Sequence, residues 1–339
     1  MQTLAVVSLS GGKDSTATAL CAIDAFGPQN VRLVMADTGN EHDLTMSYAL
    51  DYLPQALGIP VHVVRADFTK RIANKRTYVL EKWPGKGVPQ HIIDAALAIL
   101  HPTGNPFLDL CLWKGRVPSR KAQFCTQELK RYPLDNYTFD LMSQGYRIES
   151  WRGIRREESQ NRKDAKDREE TPEGWTIVHP IASWTAQQVI DYVLGKGIKL
   201  NPLYSQGMSR VGCMPCINAG KNELLEISKR FPEHVDKIRE WERLVGLASK
   251  RGMSTFFTDA ARESFAAIDG WRHERRPKPD DEGNIRWVDV WIEPDASVMD
   301  RCRIDKRIEW AQTSRGGKQF DFIRLEPVQQ CSSVYGLCE

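Results

Sequence analysis

The chain reads as an α/β protein built on a doubly wound parallel sheet, and three observations carry that reading. Apolar runs rich in β-formers at residues 4–9, 31–36 and 61–64 alternate with helical text, the order expected of parallel strands joined by crossover helices. The first run passes through Ser10-Gly11-Gly12-Lys13-Asp14-Ser15 into an Ala/Leu-rich segment, which is strand, tight loop and helix in succession. The second run ends in Asp37-Thr38-Gly39-Asn40-Glu41, and the carboxyl edge of a strand is where open α/β sheets hold ligands.

The loop after the first strand has the makings of a phosphate cradle. Gly11 and Gly12 permit positive φ and close approach to an anion, while the first amides of the helix and its dipole favour negative charge. Lys13 adds a cation, and Ser10 and Ser15 add hydroxyls. Asp14 is a carboxylate among phosphate-binding groups, which makes sense where it fixes a metal ion or accepts hydrogen bonds from the loop. A Walker-type loop is excluded, because four residues must separate its first glycine from Gly-Lys, and here Gly11 runs straight into Gly12-Lys13-Asp14. Asp37 is a candidate contact for a ribose, an adenine or a magnesium ion, with a turn-forming role as the plainer alternative.

Residues 42–57 are helical in pattern and lead to the third strand. From 68 to 118 the alternation lapses into helix-like text carrying Lys70, Arg71, Lys75, Arg76, Lys82 and Trp83. This is expected to be an insertion over the nucleotide site, and its basic, partly aromatic character fits either nucleic acid or a solvated charged face. Residues 124–133 read as a short helix stopped before Pro133, 146–151 as a strand, and 163–174 as a polar loop. The strand runs into Arg152-Gly153-Ile154-Arg155-Arg156. Arg155 and Arg156 suit a bidentate grip on a phosphosulfate or a developing pyrophosphate, with pairing to Glu157 and Glu158 as the plainer alternative.

Residues 178–181 open another unit, followed by an amphipathic helix capped by Ser183 or Thr185. Residues 221–246 are charged and helical in pattern, 277–284 read as a loop or linker, and Trp287, Trp291 and Trp310 mark the remainder as folded. The expected division is a nucleotide-binding domain over 1–205 and a smaller, mainly helical, cysteine-bearing region over 206–339.

Composition narrows the function. The 47 basic and 44 acidic residues leave a net charge of +3, which argues against a general polyanion-binding surface but not against a local patch. No apolar run reaches the roughly 18 residues of a membrane span, and the N-terminus enters a strand with no basic and apolar leader, which predicts a cytoplasmic protein. Eight cysteines in such a chain read as thiols or metal ligands rather than disulfides. Cys213 and Cys216 have the two-residue gap that lets both sulfurs reach one metal, and Gly212 and Pro215 suit a tight knuckle. A cluster or zinc site needs about two further ligands, and a redox dithiol is the other chemical reading of the pair. Cys21 and Cys111 read as packing residues, and the histidines show no ligand spacing.

Four blocks in order resemble the phosphoadenosine phosphosulfate (PAPS) reductase family of the adenine nucleotide alpha-hydrolase, or PP-loop, superfamily. They are the loop from Ser10 to Ser15; Cys-Thr-x-x-Leu-Lys-x-x-Pro from Cys125 to Pro133; Gly-x-Arg-Arg-x-x-Ser from Gly153 to Ser159; and Pro180-Ile-x-x-Trp184 leading through Asn201-Pro-Leu-Tyr to Gly212-Cys-x-Pro-Cys216. The resemblance covers residues 1 to about 220 and implies an alpha-hydrolase-type sheet, an adenine nucleotide ligand (ATP or PAPS) and magnesium. It also implies a [4Fe-4S] cluster, with zinc as the alternative, on Cys213, Cys216 and Cys125, and with Cys331, Cys338 or Cys302 competing for the fourth place. Assimilatory reductases of the family usually carry a degenerate loop, whereas this one is intact and similar to members that cleave ATP between its α and β phosphates, such as DNA phosphorothioation ATP pyrophosphatases. The chain ends Tyr335-Gly336-Leu337-Cys338-Glu339, which only echoes the Glu-Cys-Gly-Leu-His of the reductases. The expected function is therefore an ATP pyrophosphatase serving sulfur transfer or nucleic-acid modification. The alternatives are reduction of PAPS or its unphosphorylated analogue to sulfite, and a non-catalytic nucleotide-binding subunit of an assembly with a partner protein.

Overall fold

The computed structural model describes residues 1–120, 122–257, 273–280, 282–291, 300 and 302–314. Two compact units share the chain in interleaved fashion. Among the described residues the first comprises Met1–Ala66 and 120–226, and the second Asp67–Ser119 and 227–314. The expected insertion at 68–118 thus belongs with later sequence in a unit of its own.

The first unit is a six-stranded sheet in the order β3-β2-β1-β4-β6-β5. Its strands are β1 (Thr3–Leu9), β2 (Val31–Ala36), β3 (Val61–Val64), β4 (Arg147–Trp151), β5 (Arg168–Glu170) and β6 (Thr176–Val178). All pairs are parallel except β5 with β6. β1 is central because its residues are apolar on both faces, as a doubly covered parallel strand requires. Ala5, Val7 and Leu9 pack with Ala17 and Leu20 of helix α1 (Lys13–Phe26) and with Val189 and Val193 of a later helix, Ala186–Gly195. On the opposite face Leu4 and Val6 meet Leu134 and Leu141. With helices on both sides, the doubly wound α/β architecture is as expected.

Two helices run through prolines by widening a turn. The helix after β2 consists of α2 (Asp43–Ser47), a π turn (Tyr48–Tyr52) and α3 (Leu53–Leu57) with Pro54 at its start. Residues 126–131 form another π turn that continues into α7 (Tyr132–Ser143) across Pro133. A proline ring clashes with the carbonyl four residues back and supplies no amide hydrogen, and a wider turn just before it removes both conflicts. Pro133 therefore does not stop a helix, and α7 becomes the helix that covers the second face of the sheet. The polar stretch 163–174 is likewise not wholly loop. It contains β5, a charged edge strand tied down by Arg168 to Glu149 at 2.6 Å, and charge at an edge opposes pairing with other chains.

α8 (Ala186–Gly195) begins at Thr185, whose side chain accepts from the Gln188 amide while the Gln188 side chain accepts from the Thr185 amide, a reciprocal cap. A short helix, α9 (Pro202–Ser205), follows. Helix α10 (Lys221–Arg230) spans the boundary between the units in sequence.

The second unit holds α4 (Thr69–Lys82), α5 (Gln90–Ile99), α6 (Pro106–Lys114), α11 (Pro232–Leu247), α12 (Ile304–Gln312) and an antiparallel hairpin of β7 (His273–Pro279) and β8 (Ile285–Trp291). Phe107 stacks on Trp241 and Phe256 at 5.2 and 5.9 Å. The buried Glu242 carboxylate accepts the amides of Phe256 and Ile304 at 2.8 and 3.1 Å. The hairpin occupies the stretch 277–284 that reads as a linker. The Asp280 amide bonds the Asn284 carbonyl, so alternate amides at 276 and 278 also face β8. Pro277 and Pro279 then fall on the outer edge, where a missing amide removes no ladder bond.

Candidate functional site

The turn between β1 and α1 is shaped by its own side chains. Gly11 has φ +77, and a Cβ there would stand 2.6 Å from Thr45 Cγ2, so both conformation and space exclude other residues. Ser15 Oγ accepts the Ser10 amide at 3.3 Å and donates to the Gly12 carbonyl at 3.0 Å. The α9 segment closes over the loop from outside. Asn201 Nδ2 donates to the Gly11 carbonyl at 3.0 Å while its Oδ1 accepts the Leu203 amide at 3.0 Å. The Tyr204 hydroxyl accepts the Lys13 amide at 3.1 Å. In sequence Asn201 and Tyr204 are members of a motif with no evident role, and their part as loop clamps is visible only in three dimensions.

Asp14 is fully buried between two cations. Its Oδ2 is 3.0 Å from Lys13 Nζ and its Oδ1 2.6 Å from Arg155 Nε. Arg155 also pairs with Glu157, whose carboxylate accepts the Ala186 amide at 2.6 Å and so closes the start of α8. Gly153 makes this approach feasible, since a Cβ on it would lie 2.9 Å from the Asp14 backbone carbon and oxygen. The phosphate loop and the arginine-bearing segment are therefore in van der Waals contact.

The cleft beside them is lined by Ser10, Ser15, Gly153 and Gly212, with Lys130, Arg152 and Glu41 as its charged members. Lys130 follows from the π turn before α7, and Arg152 is the first residue past the carboxyl end of β4. Neither stood out in sequence as a site residue, although a cation directly after a strand is the signal that finds Arg152. Arg156 turns elsewhere. It donates to the Ala165 carbonyl at 2.9 Å and pairs with Asp167. Asp37 closes a turn by accepting the Gly39 amide at 2.9 Å and pairs with Arg65 at 2.9 Å.

The cysteine knuckle is pinned to the loop after β2. Asn40 donates to the Pro215 carbonyl at 3.0 Å and accepts the Met214 amide at 2.7 Å. The Cys213 thiol donates to Glu41 Oε1 at 3.6 Å and lies 3.5 Å from Thr38 Oγ1. Removal from water pushes this thiol up to about 12, so in the metal-free protein it is protonated. Cys216 Sγ accepts the Asn218 amide at 3.5 Å. Among the described residues the sulfurs of Cys125, Cys213 and Cys216 do not gather as a set within 4.8 Å of one another. Cys302 is buried in the second unit, and Cys331 and Cys338 lie outside the described residues. No helix among the described residues is long and apolar enough to cross a membrane.

Residues 112–219 match the model of the phosphoadenosine phosphosulfate reductase domain. The chain is 44% identical to an uncharacterized 37.8 kDa protein in the gpa 5′ region of Escherichia phage 186, over 99% of this chain and 97% of that one. An adenosine 5′-phosphosulfate reductase of Rhizobium meliloti is 35% identical over 89 residues, 26% of this chain and 34% of the reductase. Among solved structures, a PAPS reductase of Candida auris in a phosphate complex superposes with a TM-score of 0.38 at 17% identity, covering 62% of this chain and 82% of that chain.

Proposed function

The chain belongs to the phosphoadenosine phosphosulfate reductase family of PP-loop nucleotide-binding proteins, and on that premise we propose that it binds ATP and cleaves it between the α and β phosphates. The observation that carries the proposal is the contact of Gly153 and Arg155 with Asp14, which sets a cationic segment against an intact phosphate loop at one cleft.

In this reading the Gly11-Gly12 turn and the start of α1 hold the polyphosphate, clamped by Asn201 and Tyr204. Lys13, Lys130 and Arg152 offset the charge that builds on the leaving pyrophosphate, an effect strongest when the donors are fixed beforehand. Arg155 acts from behind. Its bond to Asp14 and Glu157 fixes Gly153 and the adjoining Arg152 at the cleft. Asp14 has both oxygens engaged, which fits a positioning role better than metal ligation. A magnesium ion on the triphosphate would supply further charge neutralisation, and Glu41, whose two oxygens accept from Thr38, Asn40 and Cys213, helps shape the cleft rather than standing open to the ion. Cys125, Cys213 and Cys216 with a fourth thiolate would hold a [4Fe-4S] cluster, whose chemistry is electron or sulfur delivery to the activated acceptor.

The test is incubation with ATP and magnesium followed by separation of products. AMP and pyrophosphate are expected, with a fall of about 100-fold in kcat/KM for Lys13→Ala. ADP and phosphate as products, or sulfite released from PAPS with no AMP formed from ATP, would replace the reading.

A further inference from the structure

In the second unit three lysines from separate stretches of chain converge on one phenol. Lys86 Nζ donates to the Tyr78 hydroxyl at 2.7 Å. Lys75 Nζ lies 5.8 Å from the Tyr78 ring centre and 5.4 Å from that of Trp83. Lys250, in the turn after α11, is near enough to interact with both lysines. Burial first, and then Lys250, hold the Lys75 ammonium below its ordinary value. Burial and then Lys86 do the same to Lys250. Among the described residues no carboxylate pairs with any of the three.

Ammonium groups gathered without counter-charge repel one another, and the arrangement relaxes when an anion enters. The chemistry of the surroundings narrows that anion. α4 carries five basic residues and a single acidic one, Glu81, between Thr69 and Lys82. It also carries an exposed ring, Tyr78, whereas Trp113 of α6 is already covered by Phe68, Arg71 and Lys114. Ammonium groups around an exposed phenol suit a phosphate backbone with a base free to stack on the ring, which favours a single strand over a closed duplex. A phosphopeptide would use the ammonium groups but not the ring.

We propose that Lys75, Lys86 and Lys250 around Tyr78 form a binding site for the phosphodiester backbone of single-stranded nucleic acid. The site requires nothing of the ATP chemistry and is tested without it.

Fluorescence anisotropy of the full chain with a labelled single strand of about 20 nucleotides, titrated across salt concentrations, reads the site directly. The Lys75→Gln/Lys86→Gln/Lys250→Gln variant is expected to weaken binding by tenfold or more at about 0.1 M salt and to flatten the log–log salt slope by about 2. A charge-matched Lys163→Gln/Lys166→Gln/Lys229→Gln variant should bind like wild type. Should the triple variant fail to fold, Lys86→Gln/Lys250→Gln leaves the more buried Lys75 in place and is expected to flatten the slope by about 1.4. The proposal is overturned by absence of binding, by equal losses in the charge-matched variant, or by tighter binding of a phosphopeptide or a duplex than of the single strand.

Discussion

Arg155 Nε and Asp14 Oδ1, 141 residues apart in sequence, meet at 2.6 Å in the protein interior. The bond ties the segment after β4 to the first turn of α1, and Glu157 extends it to the start of α8.

Removing Arg155 leaves Asp14 buried with Lys13 as its remaining ion-pair partner. Arg155→Ala is expected to cost about 3–5 kcal/mol of unfolding free energy, measured by urea denaturation. Arg156→Ala breaks a pair with the largely exposed Asp167 and should cost less than about 1 kcal/mol. The reverse order would contradict the assignment of Arg155 as the internal tie.

Gly153 has no room for a methyl group, since the atoms it would strike are the backbone of Asp14. Gly153→Ala is expected to destabilise the protein by about 1–3 kcal/mol and to lower nucleotide affinity by displacing the first turn of α1. An unchanged dissociation constant for ATP, measured calorimetrically, would separate Gly153 from the cleft.

Asn201 and Tyr204 hold the loop without lining the cleft. Tyr204→Phe strips the Lys13 amide of its acceptor, at a cost of about 1–3 kcal/mol for a buried donor left unpaired. Steady-state kinetics should show a raised KM for ATP with kcat nearly kept, because the clamp shapes the loop and touches no reacting atom. An equal fall in kcat and kcat/KM would assign Tyr204 a role in the transition state instead.

Burial raises the Glu242 carboxyl to about 7 from an ordinary 4.5. The folded state therefore holds a proton that the unfolded chain has released, and this contribution is lost as pH rises from 4.5 to 7, by about 3 kcal/mol in all. Glu242→Gln removes the titration. The stability difference between wild type and variant should shift in favour of the variant across that window, and a pH-independent difference would refute it.

Much of the first unit was legible from sequence because parallel strands buried on both faces leave continuous apolar runs. Residues 31–36 coincide with β2, whereas β3 at 61–64 is a half-exposed edge strand that its run of valines, not its burial, makes legible. The prolines misled. Pro133 reads as a helix stop, yet a π turn carries the helix past it, and Pro277 and Pro279 read as a linker, yet both sit on the outer edge of β7. At the site, Ser10 to Ser15 and Gly153 declared themselves through residue type. Arg152 and Lys130 did not, because a cation in a run of cations acquires its role only from the strand end or turn that aims it. Arg155 and Arg156 are adjacent and alike in sequence, and only packing distinguishes the one that meets Asp14 from the one that meets Asp167.

The central claim is that the glycine loop and the segment Arg152-Gly153 enclose one nucleotide. A crystal structure with α,β-methylene ATP, which cannot be cut at the proposed bond, tests it most directly. The account predicts the triphosphate between residues 10–15 and Arg152-Gly153, with Lys130 within hydrogen-bonding reach of a phosphate oxygen. Nucleotide bound elsewhere, or with its phosphates directed away from the glycine loop, would contradict it.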